Sequence, residues 1–281
     1  MGRRHTRRHW GAAGLLAPAA LFFVACFAYP LVELLRLSFT SNNGPFAPYA
    51  VLAGSEVYRR VFASTLLLSV EVTVISVVLA YPCAHLLTRL RGVWRNLAFW
   101  CVLFPFWVSS LVRTFSWMLL LEQRGPVNQA LTFITASRTP LELLFHESGV
   151  IIGMTHVLLP YAILPIYASM VRIDRRLMLA SESLGASPFT TFRRVFLPLS
   201  FPGVGAAAVL VFLMSLGFYI TPALLGGPAN TSIAMIIEQL VNERLVWPLA
   251  GAASVLLVVA TFAILGLTAR AVPIGRILGA K

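Results

Sequence analysis

Lysine is almost missing from this chain of 281 residues: the single one is Lys281. A nucleotide-binding P-loop needs Gly-Lys followed by Ser or Thr, so the chain carries no Walker-type ATPase site and any ATP-derived energy must come from a partner. Cysteine is scarce too. Cys26, Cys83 and Cys101 all fall in apolar stretches, where a small buried hydrophobe is expected and a disulfide framework is not. No Gly-x-Ser-x-Gly elbow, His-Glu-x-x-His pair or paired-cysteine zinc pattern occurs, which closes off the common hydrolase and zinc-site readings. The five histidines are scattered. His5 and His9 share a possible helix face without a third ligand nearby, and His156 reads as hydrogen-bonded packing within a span. No catalytic residue, cofactor or metal is expected. Charge is the last scarcity, since only 11% of residues are Asp, Glu, Lys or Arg against 58% hydrophobic, with mean hydropathy +0.83. That balance excludes a disordered or ordinary soluble protein.

What is present is a set of long apolar runs. After a basic tail, Met1 to Trp10, with Arg3, Arg4, Arg7 and Arg8, the first run starts at Gly11 to Ala13 and reaches about Leu35. It is longer than the ~7–15 residues of a signal-peptide core and reads as an uncleaved span. Five more follow near 62–87, 97–121, 148–171, 203–225 and 248–270, each close to the ~20 residues that cross a bilayer. The expectation is an all-α membrane protein, residues 11–281 forming one six-helix domain behind the tail. Pro82, Pro105, Pro160 and Pro165 lie within or at the ends of spans, where neighbouring helices can satisfy the freed carbonyls.

The net charge of +12 belongs to topology rather than to nucleic acid. With the N-terminus inside, the inner segments hold Arg3, Arg4, Arg7 and Arg8, then Arg89, Arg91 and Arg95. They continue with Arg172, Arg175, Arg176, Arg193 and Arg194, and end with Arg270, Arg276 and Lys281, fifteen of the 22 basic residues. Basic residues gather on the cytoplasmic side, so both termini and the loop about 172–202 are expected there. Most of the acid falls in the outer connections: Glu33, Glu56, Glu122, Glu142, Glu147, Glu238 and Glu243. A solvated surface accounts for them.

The loop between the fourth and fifth spans is a polar island, LASESLGASPFTTFRRVFLPLSFPG. Ser187 followed by Pro188 is a good helix start, because serine caps free N–H groups and proline is pre-set for the first helical position. Phe189, Phe192 and Phe196 then fall on one face, with Arg193 and Arg194 off it. The segment is expected to be a short amphipathic helix, ended by Pro198 and Pro202, whose apolar face needs headgroups or another protein.

The spacing of Gly185, nine residues, then Val195-Phe196-Leu197-Pro198 resembles the cytoplasmic EAA loop of permease subunits in binding-protein-dependent ABC importers. That pattern reads Glu-Ala-Ala, three residues, Gly, nine residues, Ile-x-Leu-Pro. Here Leu179 stands at the Glu position, followed by Ala180 and Ser181, with Glu182 three places on. The resemblance implies that Ala180, Ser181, Gly185, Ser187, Pro188, Phe189, Phe192, Val195, Leu197 and Pro198 couple the subunit to an ATPase. PFWVSSLVRTFSW, GPVNQALT, LLPYAILPIYASMVRID, GFYITPALLGGP and VWPLAGAAS, from roughly 60 to 281, further resemble the spermidine/putrescine-type group of these permeases. This implies half of an inner-membrane import pathway, with a second permease, two ATP-binding subunits and a periplasmic solute-binding protein as partners. A polyamine is the first substrate, with opines, aminophosphonates and other small polar solutes as alternatives. A gradient-driven carrier is the competing class, although it needs no docking loop and no internal repeat is visible.

Two charges fall within spans, Glu71 and Arg113, and each costs at least ~2.5–3.5 kcal/mol in hydrocarbon. Both belong to the outer halves of their helices and could pair. Two readings stand: a structural ion pair, or a substrate pathway near Glu71, Arg113, Trp117, Phe218 and Tyr219.

Overall fold

A computed structural model describes residues 18–42, 44–135 and 141–271. The basic tail with His5 and His9, and Arg138, Arg276 and Lys281, lie outside the described residues. Twelve α-helical segments and no strand run through the rest. They are α1 (Pro18–Ser38), α2 (Ala47–Gly54), α3 (Glu56–Arg89) and α4 (Gly92–Leu103, tightening into a 3₁₀ turn to Trp107). After these come α5 (Ser110–Leu121), α6 (Pro126–Thr135), α7 (Glu147–Val171) and α8 (Arg175–Ser183). The chain continues with α9 (Pro188–Leu216), α10 (Ile220–Leu225), α11 (Ile233–Asn242) and α12 (Trp247–Ala271).

Among the described residues five helices are long and apolar enough to cross a membrane: α1, α3, α7, α9 and most of α12. The stretch expected as a straight third span, 97–121, is broken instead. α4 and α5 meet at 100°, and a sixth span is reached only by counting this bent pair as one. The cause is local: Pro105 sits within the 3₁₀ turn, and Val108 and Ser109 adopt extended backbone before α5 begins. α3 runs longer than the expected 62–87, its 34 residues reaching about 51 Å at 1.5 Å each, so it overshoots a ~30 Å hydrocarbon core.

The chain divides into two units. The first, Met1–Glu56 with Ile237–Val258, contains α1, α2 and the first half of α12. Gly251 of α12 lies against α1 so closely that an added Cβ would sit 3.1 Å from the Ser38 nitrogen and 3.2 Å from the Leu34 carbonyl oxygen. Ser38 is fully buried; its hydroxyl donates to the Leu35 carbonyl at 2.6 Å and accepts from the Tyr49 hydroxyl of α2 at 2.8 Å. On α1, Glu33 pairs with Arg36 at 3.5 Å rather than standing in an outer connection.

The second unit, Val57–Ile236 with Val259–Lys281, is centred on α7. Val150, Met154, Leu158, Ala162, Ile166 and Met170 run along it, buried. They meet Val72, Ala80, Ala84 and Leu87 of α3, Ala207 and Val211 of α9, and Leu225 of α10. Without a water-driven hydrophobic force between helices in lipid, such packing depends on small residues that let backbones approach. Gly203 of α9 does this, its Cα facing the Ser169 side chain, the Pro165 carbonyl and the Ile166 backbone of α7. Gly153 of α7 does the same for α10, where an added Cβ would meet Leu225 Cδ1 at 2.5 Å and Thr221 Cγ2 at 2.8 Å. Hydroxyls lock the bundle further: Tyr81 of α3 to Ser200 of α9 at 2.9 Å, and Thr114 of α5 to Thr221 at 3.1 Å.

Cys26, Cys83 and Cys101 are exposed rather than buried. A membrane helix keeps apolar residues on its outer face as well as its inner one, so hydrophobicity alone did not reveal which way they point.

Candidate functional site

The loop between α7 and α9 is built from two capped helices. Asp174 caps α8, its carboxylate accepting the Arg176 N–H at 2.9 Å. At the other end the Ala186 N–H reaches the Ser181 carbonyl at 3.2 Å and the Gly185 N–H reaches Glu182 at 2.9 Å. This paired closure is a Schellman motif, and it needs a left-handed residue at Gly185, whose φ is +85°. Ser187 then caps α9 as expected, accepting the Thr190 N–H at 3.3 Å ahead of Pro188. The Ser181 and Thr191 hydroxyls, 3.0 Å apart, tie the two helices together.

The aromatic face does not stay in one piece. Residues Phe192–Phe196 form a π-turn, which shifts the register of side chains on either side of it. Phe192 and Phe196 stack at 5.8 Å, and both meet the His85 ring of α3 edge-on, at 5.5 and 4.9 Å. Phe189 points away and is 71% exposed; Leu184, at 89%, and Leu179, at 61%, are exposed as well. The loop therefore has an inner aromatic anchor and a separate outer apolar surface. Leu184 was invisible as a candidate because it lies between the fixed positions of the loop pattern. Ala180 and Pro198 are exposed, while Ser181, Val195 and Leu197 are half-buried.

Pro198 and Pro202 do not end the helix. α9 passes through both and continues to Leu216. Pro198 comes just after the π-turn and Pro202 sits one turn further on; each lacks the N–H that a carbonyl of the preceding turn would otherwise receive. The segment expected as a free amphipathic helix is the first part of a span. The span expected over 203–225 instead stops at Leu216, and Gly217 leads to the separate α10.

The charged and aromatic set along the spans also differs from expectation. Glu71 and Arg113 form no ion pair within 4.0 Å, and Glu71 Oε2 and Arg113 Nε are buried with no hydrogen-bond partner. The bend before α5 is the reason. α5 packs on α10 and α7, which brings Arg113 within electrostatic range of Tyr161 and His156. The Trp117 ring meets the His156 ring edge-on at 5.6 Å, and His156 Nδ1 is buried without a partner, not hydrogen-bonded as expected. Phe218 packs on the core and Tyr219 opens α10. Thus Arg113, Trp117, Phe218 and Tyr219 gather around α5, α7 and α10, with His156 as a member that the sequence did not single out. Glu71 stands on α3, bordering an exposed apolar stripe of Leu67, Val70, Val74 and Val78. Among the described residues no group of three or more His, Cys, Asp or Glu is placed to hold a metal ion.

Residues 73–272 match the family described as "Binding-protein-dependent transport system inner membrane component". The chain is 33% identical over 228 residues to the spermidine/putrescine transport system permease protein PotB of Salmonella typhimurium, covering 81% of this chain and 77% of that one. It is 33% identical over 244 residues to PotB of Haemophilus influenzae, with 84% of each covered. Among solved structures, a chain of a bacterial alginate ABC transporter in complex with its alginate-bound periplasmic protein superposes with a TM-score of 0.77. That match has 19% identity and covers 94% of both chains. A chain of the MetNI methionine ABC transporter superposes with a TM-score of 0.54, over 77% of this chain and 96% of that one.

Proposed function

The chain belongs to the binding-protein-dependent transport system inner membrane components, and from that membership we propose that it is a permease subunit of an ATP-driven importer for a polyamine. It is a multi-pass inner-membrane protein of transport rather than of catalysis. The single observation that carries the working part is the capped loop: Gly185, Ser187 and the Phe192–Phe196 anchor hold Leu179, Leu184 and Phe189 outward on a fixed base. Exposed apolar side chains so held, on and just after α8 and at the very start of α9, suit a partner protein, and an ATP-binding subunit on the cytoplasmic side is the partner proposed.

The substrate is taken to be spermidine or putrescine, supported by the PotB relatives that match over most of the chain. Glu71 fits such a cation. A carboxylate bordering an outward face costs too much against lipid, so its unpartnered oxygen calls for water, a second permease or a passing cation there. Arg113, Trp117, Phe218 and Tyr219 would line the same passage, between this subunit and a second permease. A periplasmic binding protein would deliver the substrate to the outer connections.

The test is uptake of labelled spermidine into proteoliposomes holding the two permeases, the ATP-binding subunits and the binding protein. Uptake that requires ATP and is competed by putrescine is expected. Uptake driven by an ion gradient without ATP, or the absence of competition by either polyamine, would overturn the assignment.

A further inference from the structure

A second site lies beneath the loop. A groove of about 710 Å³ opens where α3 ends, α4 begins, α7 ends and α8 and α9 start. Arg89, Arg95, Arg172 and Arg175 line it, with His85 and two carboxylates, Asp174 and Glu182. Among the described residues none of these four arginines has an ion pair within 4.0 Å, and none of their guanidinium groups has a hydrogen bond. Asp174 is already engaged in capping α8. Four cations against two carboxylates leave the groove positive, and His85 Nδ1 is buried in its wall with no partner.

Apart from the Thr88 and Thr191 hydroxyls the rest of the lining is largely apolar, with Tyr167, Met170 and Val171 of α7, Met178 of α8, and Phe192 and Phe196 of α9. Arg89 is the last residue of α3, and Arg172 caps the C-terminus of α7. The groove therefore sits at the ends of two candidate spans, which we take as the depth where hydrocarbon gives way to headgroups. A cationic rim over an apolar wall at that depth matches a molecule with a phosphate at one end and acyl chain at the other. A soluble phosphate has no use for the apolar wall, and an acidic protein segment has no use for the position at the span ends.

We propose that this groove binds the headgroup of an anionic phospholipid, with its phosphate among Arg89, Arg95, Arg172 and Arg175. Bound there, the lipid joins the α3–α4 corner to the base of the loop that carries Phe189. Guanidinium forks match phosphate oxygens in geometry as well as charge, which makes arginine the suitable residue for the role.

The test uses the purified full-length chain in detergent with a mixture of phosphatidylglycerol and phosphatidylcholine, and native mass spectrometry to count retained lipids. Preferential retention of phosphatidylglycerol is expected, falling roughly tenfold in the Arg89→Gln/Arg172→Gln double variant. Arg89→Lys/Arg172→Lys should retain most of it, which separates loss of charge from loss of fold. The Arg193→Gln/Arg194→Gln pair, outside the groove, should bind as wild type. A soluble arm distinguishes lipid from free phosphate: short-chain phosphatidylglycerol should bind well and glycerol phosphate poorly. Equal retention of both lipids, no loss in the double glutamine variant, or glycerol phosphate binding as tight as the short-chain lipid would each overturn the proposal. So would loss of the lipid when the ATP-binding subunit docks, since the groove would then be a protein contact.

Discussion

Gly203→Ala is the smallest change that should loosen the second unit. The added methyl has nowhere to go: it would overlap the Ser169 Cβ and lie 2.9 Å from the Pro165 carbonyl oxygen and 3.1 Å from the Ile166 Cα. Two of these three neighbours are backbone, so no rotamer change makes room and α9 must move off α7. The displacement opens the packing around Ala207 and Val211, which are fully buried on the same helix. Overpacking of this kind costs ~1–3 kcal/mol. Gly266→Ala is the control, because nothing lies within 4 Å of the added atom and helix propensity alone should favour alanine by roughly 0.5–1 kcal/mol. Reversible unfolding of the purified chain in sodium dodecyl sulfate measures both. Adding Ser169→Gly to Gly203→Ala removes one of the three clashes and should recover part of the loss, a coupling read from the double-mutant cycle. If Gly203→Ala unfolds at the wild-type detergent concentration, the close approach of α7 and α9 is not what the glycine is for.

Three further outcomes are expected. Gly185→Val forces a β-branched side chain into φ +85° and costs ~1–2 kcal/mol at the Schellman turn, so an assembled complex should lose binding-protein-stimulated ATPase activity and uptake together; wild-type levels of both would remove the coupling role. With Cys26, Cys83 and Cys101 replaced, Asn42→Cys should react with an impermeant thiol reagent on intact cells and Leu184→Cys only after lysis, and the reverse pattern would invert the proposed topology. Glu71→Gln should assemble normally yet lower polyamine uptake roughly tenfold, the ~1.5 kcal/mol of one hydrogen bond to a charged group, and Arg113→Gln should not rescue it. Rescue of yield and uptake in the double variant would restore the ion pair that the structure lacks.

The features legible in the sequence were those fixed by local chemistry. Ser187 before Pro188 depends on a few adjacent residues, and the helix starts there as expected. The apolar runs revealed spans for the same reason. What escaped was set by partners distant in the chain. The π-turn at Phe192–Phe196 has no mark in a hydrophobic pattern, yet Phe192 and Phe196 within it face His85 while Phe189, one turn earlier, is exposed. Nor did the run 97–121 reveal its 100° bend, because Pro105 is compatible with a mild kink, a broken helix or a helix start. Arg113 and Glu71 looked like neighbours only on the assumption of two straight spans. Once α5 turns away, Arg113 is set against α7, and His156 gains a place that a lone histidine in an apolar run could not claim.

The continuity of α9 has a mechanical meaning. From Pro188 to Leu216 its 29 residues make a rod about 43 Å long, so a tilt of about 5° about one end carries the other through nearly 4 Å. If Phe189 meets a partner as proposed, a push there reaches Ser215 without a joint between two separate helices. The π-turn, Pro198 and Pro202 weaken the backbone ladder on the way, and the π-turn is the place where the His85 ring meets the rod. On the proposed coupling role that contact acts as a fulcrum, dividing the rod into a short arm toward the loop and a long arm toward Leu216, so that a small stroke at Phe189 becomes a larger one at the far end.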